Sequence, residues 1–126
     1  MIFILGGSDQ GKTDFALERF GRTAGDVFVC DEETREIDFS KRVVAHIERF
    51  ALGCVRRGEE PVEYWLAHMG EMRASILISD DVSCGIVPID TTLRAWREAN
   101  GRANNRLARE AGEVWRVFCG LGQRLK

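Results

Sequence analysis

The chain has 126 residues, of which 44% are hydrophobic and 30% charged. That is the size and makeup of one globular unit with its own core, so residues 1–126 are expected to form a single domain. The formal net charge of −2 lacks the strong basic excess of a nucleic-acid binder, and no apolar run approaches the roughly 18–20 residues that span a bilayer. No nucleic-acid or membrane partner is expected.

Cys30, Cys54, Cys84 and Cys119 are widely spaced, with no CxxC pair and no histidine at zinc-ligand spacing, and so read as buried thiols in a reducing compartment. The apolar start is short and runs straight into glycine, unlike a signal peptide. A cytoplasmic location is expected.

In chain order, Ile2 to Leu5 is a continuous apolar run stopped by Gly6-Gly7, the pattern of a strand buried on both faces of a parallel sheet. Gly11 to Phe20 reads as a helix, and Val27 to Cys30 as a second strand ended by Asp31-Glu32-Glu33. Ser40 is a candidate N-cap for a helix carrying Val43, Ile47, Phe50 and Cys54 at helical spacing and closed by Gly58. Pro61 opens a shorter helix through Leu66, and Ser75 to Ser79 reads as a strand running into Asp80-Asp81. After the turn Gly85 to Pro88, a helix capped at Asp90 should carry Leu93, Trp96, Leu107 and Ala111 on one side, with a bend at Gly101. Val114 to Cys119 and Leu121 to Leu125 should form a strand pair around Gly120 at a sheet edge. This alternation predicts a three-layer α/β domain.

Gly6-Gly7-Ser8-Asp9-Gln10-Gly11-Lys12-Thr13 satisfies the phosphate-loop pattern G-x-x-x-x-G-K-[ST], in the strand-to-helix setting the motif requires. The glycines let the backbone curl so that successive amides and a helix N-terminus point at phosphate oxygens. Lys12 would reach the β- and γ-phosphates of ATP or GTP, and the Thr13 hydroxyl would be a ligand of the accompanying Mg²⁺. An apolar strand ending in Asp80-Asp81 is how such proteins set a carboxylate beside the metal, and either aspartate could serve. His46, at the edge of an apolar helical stripe, and His68 read as packing or half-exposed residues.

The phosphate loop together with Ile78 to Pro88, Gly101 to Ala108, Glu113 to Val117, Gly120-Leu121-Gly122 and the terminal Lys126 resembles the bifunctional adenosylcobinamide kinase/adenosylcobinamide-phosphate guanylyltransferase family. The resemblance implies a P-loop NTPase-like fold, a role in cobalamin biosynthesis, a corrinoid substrate beside the nucleoside triphosphate, and a homo-oligomer such as a trimer. It also implies transfer of the γ-phosphate to a cobinamide-like hydroxyl, with Lys12 and Asp81 as catalytic residues and Thr13, Asp80 and Asp81 around Mg²⁺. Asp81 stands where the family has glutamate, and is expected to face the phosphates, with Asp80 holding the following turn. The segment that carries the family's guanylyl-accepting histidine is shortened, so that activity is not assigned to His46. The alternative is a catalytically reduced nucleotide-binding module or regulator.

Overall fold

In the computed structural model, residues 1–82 and 90–126 are described; the turn Gly85 to Pro88 and Cys84 lie outside them. Among the described residues, six strands form one sheet in the order β2-β3-β4-β1-β5-β6. They are β1 (Ile2–Gly6), β2 (Val27–Val29), β3 (Val43–Ala45), β4 (Ile76–Asp80), β5 (Glu113–Phe118) and β6 (Leu121–Arg124). All pairings are parallel except β5 with β6, which is the antiparallel hairpin expected at the edge.

Four α-helices of the described residues cover both faces: α1 (Lys12–Arg19), α2 (Ile47–Arg56), α3 (Pro61–Ala67) and α4 (Thr91–Glu110). Strand alternation divides the core between them. Phe3, Val44, Leu77 and Val114 pack with Phe50, Trp65 and Leu107 on the side of α2, α3 and α4. Ile4, Val43, Ile76, Ile78 and Val117 pack with Ala16 of α1 on the other side. The three-layer α/β architecture with a mostly parallel sheet and a C-terminal strand pair is therefore the one read from the alternation of elements.

One element differs. The segment after Ser40 does not begin a helix: the Ser40 hydroxyl donates to Asp38 Oδ1 at 2.6 Å within a turn, and Val43–Ala45 forms β3, hydrogen-bonded between β2 and β4. Val43 and Val44 are fully buried. Two adjacent β-branched residues favour a pleated strand buried on both faces, and filling the gap between β2 and β4 overrides the helical spacing they share with Ile47 and Phe50. The helix starts only at Ile47, after His46 turns the chain in the left-handed region at φ 57°. Its end is as expected, with Gly58 at φ 74° and the Glu59 amide donating back to the Cys54 carbonyl at 2.8 Å.

Asp90 caps α4, its Oδ1 accepting from the Leu93 amide at 3.0 Å. The helix runs through Gly101 without interruption. Leu107 and Ala111 are buried as expected, but Leu93 is exposed, and Trp96 is half-buried with its Nε1 donating to the Glu48 carbonyl at 2.7 Å. Lys126 Nζ donates to the carbonyls of Ala108 and Arg109, so the terminal lysine satisfies the open end of α4. Burial pushes the thiol of Cys30 up to about 12 and that of Cys54 to about 11, making both inert packing groups. Cys119, expected to be buried, is exposed on the β5–β6 turn. No helix among the described residues is long and apolar enough to cross a membrane.

Candidate functional site

The segment Gly6 to Thr13 leaves the C-terminal end of β1 and enters α1, at the end of the parallel sheet where ligands of open α/β folds bind. Gly11 sits at the N-cap with φ 82°, a conformation that costs side-chain-bearing residues energy. A Cβ on Gly11 would also lie 3.3 Å from the Gly120 Cα. At Gly6 a Cβ would collide with the Val117 carbonyl oxygen. The glycines thus let the loop lie directly against β5 and the hairpin turn. That turn braces it in return: the Gly120 amide donates to the Gln10 carbonyl at 2.8 Å, and the Cys119 amide donates to Gln10 Oε1 at 2.8 Å.

Lys12 is 6% exposed despite its charge. Its ammonium donates to the Gly7 carbonyl at 2.6 Å and pairs with Asp80 Oδ1 at 2.6 Å. The register of β1 with β4, Gly6 opposite Asp80, places that carboxylate beside the loop. Ser8 to Asp14, His46, Ile78 and Asp80 line one cavity of about 300 Å³. Thr13 is therefore at the same mouth as Lys12 and Asp80.

Asp81 is not. Its amide donates to the Gly6 carbonyl at 2.8 Å, and the residue lines two other depressions, one with Gly6, Gly7, Gln10 and Arg116 and one with Leu5 and Asn100. Asp80, expected to hold the turn, is thus the aspartate that meets Lys12, while Asp81, expected to face the phosphates, lies outside this cavity. Both faces of β4 are buried, so its sequence has no apolar/polar alternation from which the side facing the loop could be read.

Glu48 joins His46 of this cavity to Asp80. His46, at the β3–α2 junction rather than on a packed helix, presents a side chain that is 39% exposed. Its Nδ1 lies 2.9 Å from Glu48 Oε1. Glu48 is 2% exposed, and its second oxygen accepts from the Asp80 amide at 3.0 Å. This buried carboxylate ties β4 to the start of α2, where the helix N-terminus favours its charge. The sequence held one sign of it: Glu48 falls at helical spacing with Ala51 and Val55, a charge on an apolar stripe. Ligand atoms of His46, Glu48 and Asp80 lie within 4.8 Å of one another, and Thr13 lines the same cavity; the carboxylates and the hydroxyl residue are of the type that a hard cation such as Mg²⁺ takes. His68 is elsewhere, with Nδ1 3.0 Å from Glu71 Oε1 and its ring against Tyr64.

A six-stranded, mostly parallel sheet sandwiched by helices, with a glycine-rich strand-to-helix loop and a lysine at its mouth, defines a P-loop NTPase-like α/β protein. Within that class, residues 55–125 match the model of the cobinamide kinase / cobinamide phosphate guanyltransferase family. The match covers more than half of the chain, which belongs to this family. The bifunctional adenosylcobalamin biosynthesis protein CobU of Salmonella typhimurium is 43% identical over 51 residues, and its Escherichia coli counterpart 41% over 51 residues. In each case the aligned part is 40% of this chain but 28% of the relative's own length. The family match includes Asp80, α4 and the bracing hairpin, and begins after the phosphate-loop segment, His46 and Glu48.

Proposed function

We propose that this chain is a nucleotide-dependent kinase that binds the triphosphate of ATP or GTP in the Gly6 to Thr13 loop and transfers the γ-phosphoryl group to a hydroxyl of a cobinamide-like acceptor. The observation that carries this reading is the pairing of Lys12 with Asp80 at the loop mouth. Phosphoryl transfer asks for charge neutralisation and alignment more than covalent work. In this reading the loop amides and Lys12 hold the β- and γ-phosphates, Lys12 exchanging the Gly7 carbonyl for phosphate oxygens. Thr13 and Asp80 would hold Mg²⁺, which supplies further neutralisation of the phosphates when bound. Glu48 fixes Asp80 through its backbone amide. The proposed acceptor follows from the family, whose description names cobinamide.

The test is transfer of labelled γ-phosphate from Mg·ATP or Mg·GTP to cobinamide. The expected result is acceptor-dependent label on the corrinoid. Nucleotide binding without transfer would instead support a catalytically reduced binding module.

A second reading is favoured by His46. The packed-helix setting expected of His46 is not what surrounds it: the imidazole lines the phosphate cavity with Nδ1 beside Glu48. Donation of the Nδ1 proton to the carboxylate leaves the Nε2 lone pair free to attack. Attack on the α-phosphorus of GTP would form an N–P bond and release pyrophosphate. Intact mass spectrometry after incubation with Mg·GTP should then give an adduct of one GMP on the wild type and none on His46→Ala. An unmodified wild-type mass would confine the chain to phosphoryl transfer.

A further inference from the structure

The cavity at the phosphate loop carries more negative charge than an anion site calls for. Of the described residues that line it, Asp9, Asp14 and Asp80 are acidic and only Lys12 brings a fixed positive charge. Glu48 stands behind them, buried, with one oxygen on the Asp80 amide. Among the described residues its one ion pair is with His46, whose imidazole, in the neutral form that binds metals, adds no charge. Buried carboxylates are ordinarily paired with a cation or bound to a metal. We propose that His46, Glu48 and Asp80 form a binding site for one divalent transition cation of the Zn²⁺ class, filled without nucleotide and favoured over Mg²⁺ by the imidazole nitrogen. The inference goes beyond the kinase reading, in which Thr13 and Asp80 hold Mg²⁺ together with the triphosphate.

Geometry supplies the first argument. At Zn–N and Zn–O distances of about 2.0–2.2 Å, neighbouring ligand atoms on one ion stand about 3–3.5 Å apart. His46 Nδ1 and Glu48 Oε1 are already 2.9 Å apart, and donor atoms of all three residues lie within 4.8 Å of one another. Closing the set takes a movement of about 1 Å by the Asp80 carboxylate. The three residues come from the β3–α2 junction, the first turn of α2 and the end of β4, and the bond from the Asp80 amide to Glu48 holds two of these elements together. Donors fixed by separate elements of one packed sheet keep their spacing before an ion arrives.

Lys12 supplies the second argument. Its ammonium lies 2.6 Å from Asp80 Oδ1, so the free protein already holds a cation at one corner of the cluster. A metal ion there takes over Asp80 and releases the ammonium. Lys12 thus competes with the metal when the loop is free of phosphate. The donor atoms decide which ion: Mg²⁺ seeks oxygen and keeps its waters, whereas one imidazole nitrogen with two carboxylates suits a later first-row cation.

The experiment is calorimetric titration of the full, nucleotide-free chain with Zn²⁺ and with Mg²⁺, for the wild type, His46→Ala, Lys12→Met and the controls His68→Ala and Cys119→Ser, which remove the other histidine and the exposed thiol. An unchanged melting temperature would verify that His46→Ala folds. The wild type should bind one Zn²⁺ per chain at least about a hundredfold more tightly than Mg²⁺. His46→Ala should weaken Zn²⁺ binding by about tenfold or more and leave Mg²⁺ affinity within about twofold. Lys12→Met should bind Zn²⁺ more tightly than the wild type, a gain that damage to the fold would not produce. A readout on the wild type needs no variant: of the two imidazoles, Zn²⁺ should shift the ring signals of one in the proton–nitrogen spectrum, and those signals should be the ones missing from His46→Ala. A chain that binds Mg·tripolyphosphate but takes up no Zn²⁺ without it would overturn the site and leave the phosphate loop standing. Zn²⁺ affinity unchanged in His46→Ala, or lost in either control, would place the ion elsewhere and overturn it as well. Weaker binding in Lys12→Met would overturn the exchange with the ammonium.

Discussion

Replacing Lys12 by Ala should lower the affinity for Mg·ATP and Mg·GTP by about a hundredfold, the scale of removing one partner from a desolvated charge pair. Ligand-induced stabilisation makes this visible. At a nucleotide concentration 100 times the wild-type Kd, binding adds about 2.7 kcal/mol to stability, and a hundredfold weaker site at the same concentration adds only about 0.4 kcal/mol. The nucleotide-dependent rise in melting temperature should therefore nearly vanish. A loop lysine pictured as solvent-exposed would leave the melting temperature of the free protein unchanged. The structure changes that part of the expectation, because Lys12 is 6% exposed and its ammonium pairs with Asp80 beside the buried Glu48 carboxylate. Its removal leaves the Asp80 carboxylate without its cation, and a loss of about 1–3 kcal/mol in the free protein is expected. Lys12→Met keeps most of the apolar stem while removing the charge. It should resemble Lys12→Ala in binding and lose slightly less stability. A wild-type nucleotide shift in either variant would remove the phosphate grip from this loop.

What could be read from the sequence follows from how each element signals itself. β1 and β4 are continuous apolar runs bounded by glycine or aspartate, and α3 and α4 carry start signals in Pro61 and Asp90; all four are present. The hairpin is present because Cys119 and Gly120, both at positive φ, allow the tight reversal that glycine marks in a sequence. β3 does not show in the sequence because a three-residue buried strand has too few residues to show a period of its own. Its valines also fall in step with the helix that follows, so the local pattern supports one long helix and only the pairing with β2 and β4 contradicts it.

The same error concealed half of the candidate site. The glycine pattern and Lys12 are local features, legible wherever a strand meets a helix. His46 lines the cavity, and Glu48 meets Asp80, because β3 ends at Ala45, where the chain turns at His46 and brings the first turn of α2 to the Asp80 amide. Such juxtapositions depend on topology and register, which local periodicity does not encode.

The contrast between Asp80 and Asp81 provides the sharpest test of that register. Asp80→Asn removes the charge and nearly keeps the shape, so the fold should persist with a modest loss from the broken Lys12 pair. In the presence of Mg²⁺, nucleotide affinity should fall about tenfold to a hundredfold, because an amide oxygen is a far poorer ligand for a hard cation than a carboxylate. Without Mg²⁺ the direction should differ: a negative charge close to the triphosphate has been removed, so affinity should stay level or rise. Asp81→Asn, outside the Lys12 cavity, should leave affinity within about twofold under both conditions, a change of no more than about 0.4 kcal/mol. Titrations with and without Mg²⁺ distinguish the alternatives. Equal losses with and without the metal in Asp80→Asn would make Asp80 a support for Lys12 rather than a metal ligand. A metal-dependent loss confined to Asp81→Asn would mean that β4 presents its other face to the phosphates when nucleotide is bound, and the division of roles drawn from the register of Gly6 with Asp80 would have to be given up.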